Sequence, residues 1–203
     1  MRDADVRSAL HALLRVEHEH EWSQTRILNE LSLCGEVRVD VAVLNGQFAG
    51  YELKSARDTL ERLPTQVTVY SRVLDHATLV VAERHRVAAL AMIPAWWGIV
   101  AAVGEDGVRL ERVRLPVVNP SVDPASVVRL LWRDELLGEL IRLGRGDGLR
   151  SKSRTVLSAA LTSMVPADVL SGVVRERLKQ RGAWRVDPSR QRGGAALRGA
   201  ATP

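Results

Sequence analysis

The sequence predicts an α/β fold, in which a mixed β-sheet flanked by helices is followed by an all-helical segment. Residues 37–44 alternate valine with other residues, and Asn45-Gly46 follows them, which is the strongest short-range signal for a β-hairpin. A continuous apolar run over 78–82 is typical of a buried central strand. Apolar residues at helical spacing precede the hairpin and dominate the chain after Ser121.

The core elements are predicted in the order helix, strand, hairpin, helix, strand, helix and a second hairpin. Their expected ranges are helix 3–16, strand 26–33, hairpin 37–54, helix 58–74, strand 78–82, helix 84–91 and strands 97–103 and 108–115. In the helix over 58–74, Asp58 and Glu61 fit a capping box. We expect Pro64 to kink this helix, because proline lacks the N–H that a helix interior needs.

Three helices are expected after residue 120, with Asp123 as a good N-cap before Pro124. Their ranges are 124–143, 151–164 and 166–181. The last residues are rich in Gly, Ala and Arg, a composition that rarely forms a core. The chain is therefore expected to divide into an α/β core over 1–120, a basic helical extension over 121–185 and a disordered tail over 186–203.

The composition excludes several classes of protein. No stretch of the sequence approaches the 18 apolar residues of a membrane span, and residues 1–5 lack the apolar core of a signal peptide. A single cysteine, Cys34, excludes a disulfide framework and a cysteine-based zinc site. We therefore expect a cytoplasmic protein that has no membrane partner.

The formal net charge of +5 is divided unevenly along the chain. Residues 1–108 carry 11 basic and 15 acidic side chains, a charge of −4, and residues 109–203 carry 18 and 9, a charge of +9. An acidic half followed by a basic half suits a metal-dependent enzyme that acts on a polyanion. The alternative is that the Arg-rich helices serve solubility.

Asp40, Glu52 and Lys54 lie in the hairpin, and Glu52 and Lys54 share one face of the second strand. A two-residue turn would pair Leu44 with Gln47 and place Asp40 beside Glu52, within reach of one metal ion if the strand carries a bulge. Mg²⁺ or Mn²⁺ held by the two carboxylates would suit phosphodiester hydrolysis, with Lys54 acting on the developing charge or the attacking water. The alternative is a surface ion pair, which the apolar neighbours of these residues disfavour.

Asp40 followed by Glu52-Leu53-Lys54 on a hairpin resembles the PD-(D/E)XK nuclease superfamily. The family proline before the aspartate is replaced here by Val39. The predicted α-β-β-β-α-β order over residues 1–82 matches the core of that superfamily. The resemblance implies a restriction-endonuclease-like fold and a Mg²⁺-dependent nuclease with Asp40 and Glu52 as metal ligands and Lys54 as a catalytic residue.

Gln66 and Tyr70, with Arg62 one turn before them, resemble the Gln-x-x-x-Tyr element of RecB-type nucleases. In that group the pair lies near the active site and contacts nucleic acid, whereas the alternative is a solvated helix face. The chain also resembles a group of bacterial proteins of undefined activity within the same superfamily. That second resemblance extends to Trp96-Trp97-Gly98, Leu131-Trp132-Arg133 and Trp184-Arg185.

The superfamily usually has one further acidic residue upstream. Glu30 is the preferred candidate, because its strand should run beside residues 37–44, and Glu17 is the alternative. A basic run at Arg150, Lys152 and Arg154 follows a glycine-rich loop at a helix start, where phosphate contact is expected. The alternative for this run is a solvated loop.

The resulting hypothesis is a metal-dependent nuclease, with DNA as the expected substrate. The alternatives are a non-catalytic nucleic-acid-binding module on the same fold, or an interaction protein whose basic half docks onto a partner. RNA, endonucleolytic or exonucleolytic cleavage, the sequence preference and the pathway stay open. A homodimer also stays open, since nucleases that cut both strands are commonly dimers.

Overall fold

A computed structural model describes residues 1–104 and 107–181. In these ranges six strands form one sheet: β1 (Arg26–Leu33), β2 (Val37–Leu44), β3 (Phe48–Lys54), β4 (His76–Ala82), β5 (Gly98–Val103) and β6 (Arg109–Arg114). The helices are α1 (Asp3–Glu17), α2 (Leu63–Val73), α3 (Arg86–Leu90), α4 (Pro124–Val128), α5 (Arg133–Arg142), α6 (Arg154–Met164) and α7 (Ala167–Gln180). Two 3-10 helices, Glu19–Gln24 and Glu83–His85, connect some of them. The predicted α/β class, with a mixed sheet, flanking helices and helices at the C-terminal side, is confirmed.

The strands lie in the sheet in chain order, β1 to β6. Neighbouring strands are antiparallel from β1 to β3 and between β5 and β6, whereas β4 is parallel to β3 and to β5. Parallel neighbours need a crossover connection, which α2 and α3 provide. The central strand β4 is buried along almost its whole length, as its continuous apolar sequence predicts.

Helices cover both faces of the sheet. On one face α1 buries Val6, Leu10 and Leu14, which recur every four residues and form one stripe of the helix. On the other face α2 and the C-terminal helices form a single apolar cluster with the sheet. Residues from all four helices α4 to α7 join this cluster, so they share a core with the strands. The division into a core and an extension at residue 120 stays a prediction.

Two helices differ from their predicted ranges by five residues or more. The second helix begins at Leu63 and not at 58, so Pro64 lies in its first turn, where a missing N–H has no helical partner to lose. Asp58 does not cap this helix, because its carboxylate accepts the Ser55 N–H at 2.7 Å. The helix predicted over 124–143 is broken into α4 and α5, and the Asp123 cap on α4 is confirmed.

The break between α4 and α5 coincides with a second capping arrangement. The carboxylate of Glu135 accepts the N–H of Trp132 at 2.7 Å, and α5 begins at the next residue. The turn of the second hairpin at Glu105-Asp106, the Trp184-Arg185 pair and the tail over 186–203 lie outside the described residues. None of the described helices combines the length and apolar character that crossing a bilayer requires.

The predicted register of the first hairpin is wrong by one residue. Leu44 pairs with Phe48 and not with Gln47, so the loop contains three residues, 45–47. Asn45 and Gly46 do not adopt the positive φ of a two-residue turn. Instead the Asn45 side chain accepts the Gln47 N–H at 3.0 Å, which closes the longer loop. The last pair of this register is Val41 with Tyr51, and its continuation would set position 40 against position 52, where the predicted register would set it against position 51.

Candidate active site

The pocket forms where β2 separates from β3. Main-chain pairing of these strands ends at Val41 and Tyr51, whereas β2 stays paired with β1 as far as Val37. Beyond that point a side chain links the two strands, since a carboxylate oxygen of Asp40 accepts the Leu53 N–H at 2.8 Å. The Asp40 carboxylate is therefore fixed at the opening between the strands.

Glu30 marks a bend in the strand pair next to this opening. Its φ of +56° lies in the left-handed region, which is uncommon for a residue other than glycine. Leu28 and Leu31 consequently face the same apolar cluster, although a regular strand would put them on opposite faces. In β2 the alternation also changes at Asp40, because Val39 and Val41 pack into clusters on opposite faces of the sheet. The two carboxylates therefore lie opposite each other where both strands lose regular alternation.

Glu52 lies two residues before the end of β3, and its carboxylate accepts hydrogen bonds from three donors. Its Oε1 accepts hydrogen bonds from Lys54 Nζ and from Gln66 Nε2, the latter at 2.5 Å. Its Oε2 accepts the Tyr70 hydroxyl at 2.5 Å, and Lys54 Nζ also donates to Gln66 Oε1 at 3.1 Å. The side chains of Glu52 and Lys54 are 2% and 6% exposed. The buried pair is thus oriented by α2, which supplies both Gln66 and Tyr70.

Tyr70 lies beneath Glu52, and its predicted contact with nucleic acid stays a prediction. It is completely buried and stacks on Trp97 at 5.5 Å between ring centroids, so it lies beneath the pocket floor. Its hydroxyl donates to Glu52 and also lies 3.1 Å from the Arg38 carbonyl. Burial and the nearby Glu52 carboxylate raise the pKa of the Tyr70 phenol well above its usual value, so the hydroxyl stays protonated. In this structure the Tyr70 hydroxyl therefore orients Glu52 from below the cavity.

Asp40 occupies an environment that disfavours its charge. Burial, followed by repulsion from the Glu52 carboxylate, raises the pKa of Asp40 to about 7, although the Leu53 N–H and Arg7 oppose this shift. A cation placed between the two carboxylates would offset both causes. The electrostatics of the pair therefore favour a positively charged ligand.

Arg7, on α1, was not predicted as a site residue. Its guanidinium lies 3.2 Å from Asp3, 3.0 Å from Glu30 and 3.7 Å from Asp40, and it donates to the Asp40 carbonyl at 2.7 Å. In the sequence Arg7 shows only an ordinary i, i+4 pairing with Asp3. Its longer contacts depend on how α1 packs across the sheet, which no local pattern indicates.

One cavity of about 420 Å³ is lined by Arg7, Glu30, Asp40, Glu52 and Lys54 together with other residues. Its walls carry six carboxyl side chains and four cationic ones, so the lining has a formal charge of −2 when all are ionised. The carboxyl residues are Asp3, Glu30, Glu36, Asp40, Glu52 and Asp58, and the cationic ones are Arg7, Arg38, Lys54 and Arg62. Gln66 and Thr65 complete the polar lining.

The structure separates the two candidates for the third acidic residue. Glu30 lines the cavity and pairs with Arg7 and with Arg38. Glu17 does not line it and pairs with Arg112 on β6. Of the two, Glu30 is the one that lies near Asp40.

The predicted basic run does not line the cavity. The guanidinium of Arg154 donates to the carbonyls of Leu131, at 3.0 Å, and Arg129, which fastens the start of α6. The main-chain carbonyls of Arg150 and Lys152 accept hydrogen bonds from Arg133. The contact of Arg150, Lys152 and Arg154 with nucleic acid stays a prediction.

The donors of the pocket fit Mg²⁺ or Mn²⁺ held by few protein ligands. Among residues 1–104 and 107–181, no group of three or more His, Cys, Asp or Glu side chains is arranged to hold a metal ion. Mg²⁺ commonly keeps several waters and takes only one or two carboxylates plus substrate phosphates. Asp40 and Glu52 provide such a pair, and Glu52 Oε2 keeps one lone-pair direction beside the Tyr70 bond.

Comparisons with known proteins place the chain in a family. The family model described as "Bacteriophage P4 protein cII" matches residues 2–186. Comparison with curated proteins gave no match. Among solved structures, a Silicibacter pomeroyi protein of unknown function, SPO1766, is 19% identical with a TM-score of 0.38, covering 64% of this chain and 88% of its own. SfsA of Pyrococcus furiosus, solved in complex with Ca²⁺, is 16% identical with a TM-score of 0.34, covering 55% of this chain and 63% of its own. With TM-scores this low, neither likeness bears on function.

Proposed function

The chain belongs to the Bacteriophage P4 protein cII family, and we propose that it is a divalent-metal-dependent nuclease of the PD-(D/E)XK type. One observation carries the proposal. Asp40, Glu52 and Lys54 converge on one negatively charged cavity at the opening between β2 and β3. Two carboxylates and a lysine in this arrangement suit metal-assisted phosphodiester hydrolysis.

Asp40 and Glu52 would hold the Mg²⁺ or Mn²⁺, and α2 keeps Glu52 in place through Gln66 and Tyr70. A bound metal supplies polarisation of a phosphoryl oxygen and a water of lowered pKa. Lys54 directs its ammonium into the cavity beside Glu52, where it can stabilise negative charge that develops on the phosphate. Because Lys54 is 6% exposed, solvent screens this charge weakly.

Arg38 and Arg62 would bind phosphates next to the one that is cleaved. Both line the cavity, Arg62 is exposed, and the Arg38 side chain is 68% exposed. Arginine at the rim of an acidic cavity attracts a polyanion to a site whose own charge would repel it. We take DNA as the expected substrate, on the basis of the superfamily resemblance. Whether RNA is also cleaved is decided by the assay below.

The test is a cleavage assay with the full chain on single-stranded DNA, double-stranded DNA and RNA, with Mg²⁺ or Mn²⁺ and with EDTA. Asp40→Ala and Lys54→Ala should each lower cleavage by about 100-fold or more, as losses of charge-stabilising groups do. The matched control is Lys179→Ala, because Lys179 pairs with Glu176 on α7 and does not line the cavity. Equal cleavage by wild type and Asp40→Ala would contradict the proposal.

A non-catalytic nucleic-acid-binding module is the second candidate. It is favoured by the three hydrogen bonds that Glu52 already accepts, since these satisfy the buried carboxylate without a metal. On this alternative the protein would bind nucleic acid with equal affinity in EDTA and in Mg²⁺, and none of the three substrates would be cleaved.

A further inference from the structure

We propose that Arg7 is an internal counter-ion that sets how tightly the pocket binds a divalent cation. Without a bound metal it compensates Asp3, Glu30 and Asp40, and its charge opposes any second cation at Asp40. The inference rests on the proposed function, since it concerns the metal site of that function.

The position of Arg7 distinguishes it from the other cations of the cavity. Its guanidinium contacts three carboxylates from three elements, α1, β1 and β2. Lys54 instead pairs with Glu52, and Arg38 pairs with Glu30. Arg7 is therefore the cation that shares Asp40 with the proposed metal.

The charge of Arg7 is permanent. A guanidinium does not lose its proton in proteins, whereas a lysine in a similar place can. The side chain is 21% exposed, so water screens the charge incompletely. A metal bound to Asp40 must therefore tolerate a fixed positive charge at the same carboxylate, or displace it.

The Asp40 carboxylate has an anchor that does not depend on Arg7. The Leu53 N–H already holds Asp40 Oδ2 at 2.8 Å. The helix that carries Arg7 is anchored by Val6, Leu10 and Leu14, which are completely buried. Loss of the guanidinium should therefore change the charge of the site more than its shape.

The experiment is calorimetric titration of Mn²⁺ into the metal-free full chain and its variants. We expect Arg7→Met to bind Mn²⁺ at least about tenfold more tightly than wild type, because a unit charge at such short range opposes a divalent ion by roughly this factor even in water. Arg7→Lys keeps the charge and should stay within about threefold of wild type. Arg7→Gln, which keeps a donor for the Asp40 carbonyl but no charge, should follow Arg7→Met.

The matched control is Arg15→Met, which removes an arginine from the same helix where it lies over Trp22, away from the cavity. It should bind Mn²⁺ as wild type does. Thermal unfolding checks that each variant is folded. If Arg7→Met does not fold, Arg7→Gln is the uncharged variant used for the comparison. Unchanged or weaker Mn²⁺ binding by the uncharged variants, or equal tightening in Arg7→Lys, would overturn the inference while leaving the nuclease proposal intact. If neither wild type nor any Arg7 variant binds Mn²⁺, the proposed function itself fails.

Discussion

At the scale of single residues, the candidate site depends on Glu52 being oriented before any ligand arrives. Its carboxylate is almost completely buried and accepts hydrogen bonds from Lys54, Gln66 and Tyr70. A buried carboxylate without such partners would carry a desolvation penalty. The network therefore fixes the orientation of the Glu52 carboxylate, which a metal ligand or a partner of Lys54 requires.

Tyr70→Phe tests this positioning role. The change removes one hydrogen bond to a charged group, so we expect a loss of about 1.5–3 kcal/mol in the free energy of unfolding. Cleavage should fall because Glu52 loses one of its donors, whereas affinity for nucleic acid should stay within about twofold, since Tyr70 is completely buried. Urea unfolding and filter binding measure the two quantities. A large loss of affinity without a loss of stability would instead support direct contact with nucleic acid.

The raised pKa of Asp40 predicts how stability depends on pH. Between pH 4 and 7 the folded state binds a proton that the unfolded state has released, because the pKa of Asp40 is about 7 when folded. The stability that this proton provides is complete below pH 4 and is lost as the pH rises to about 7. Asp40→Asn should flatten this part of the profile.

Thermal unfolding in EDTA at pH 5 and at pH 8 measures the difference. Wild type should lose more stability between the two values than Asp40→Asn does, and Glu19→Gln, an exposed change outside the cavity, should behave as wild type. Identical pH profiles for wild type and Asp40→Asn would contradict the assigned environment of Asp40.

At the scale of elements, the start of β5 is closely packed against β4 and Pro116. A Cβ added at Gly98 would lie 2.8 Å from Thr78 Oγ1 and 2.9 Å from the backbone nitrogen of Pro116. Gly98→Ala should therefore lower the free energy of unfolding by about 1–3 kcal/mol, the usual range for overpacking. Gly46→Ala is the control, because nothing lies within 4 Å of its Cβ position and its φ is not positive. Equal stabilities of the two variants in urea would show that β5 packs differently.

The sequence predicted the extents of the strands better than their pairing. The ranges of β1 and β2 follow from the apolar spacing and from β-branched residues, and both are confirmed. The register was wrong because Asn45-Gly46 suggested a two-residue turn, whereas the Asn45 side chain stabilises a three-residue loop that includes Gln47. The side-chain bond that Asn45 accepts and the backbone bond between the Asn45 N–H and the Gln47 carbonyl both belong to the longer loop, and a turn signal read from two residues does not show either.

The sequence indicated the residues of the site that lie on predicted strands, but not the contacts that depend on how the elements pack. Glu30, Asp40, Glu52 and Lys54 have the residue types and strand positions that chemistry requires, and the structure brings all four to one cavity. Arg7 was missed because its contacts arise from packing between α1 and the strands. The positive φ of Glu30 could not be predicted either, since glutamate carries no sequence signal for that conformation.

At the scale of the whole molecule, the sheet and the C-terminal helices depend on each other. Val127, Leu136, Leu161 and Val174 are almost completely buried in the same apolar cluster as the sheet. Removing α4 to α7 would expose one face of the sheet to water. We therefore expect residues 1–120 alone to lack a cooperative thermal transition, measured by circular dichroism against the full chain. A cooperative transition in that fragment would show that the core folds by itself.

Three arginines in and directly after α7 form ion pairs within the fold. Arg175 pairs with Asp75, Arg177 with Glu139 and Arg181 with Glu135, so these arginines fasten α7 to its surroundings. The charges of these three arginines are therefore compensated within the fold. The exposed arginines at the rim of the cavity are better placed for nucleic acid.

The most direct test of the account is the anomalous diffraction of a crystal of the full chain soaked in Mn²⁺. The account predicts a peak between the carboxylates of Asp40 and Glu52, and the loss of that peak in Asp40→Ala. A soak that yields no peak in this cavity, or a peak only elsewhere on the molecule, would contradict the claim that the pocket is a metal-dependent catalytic site.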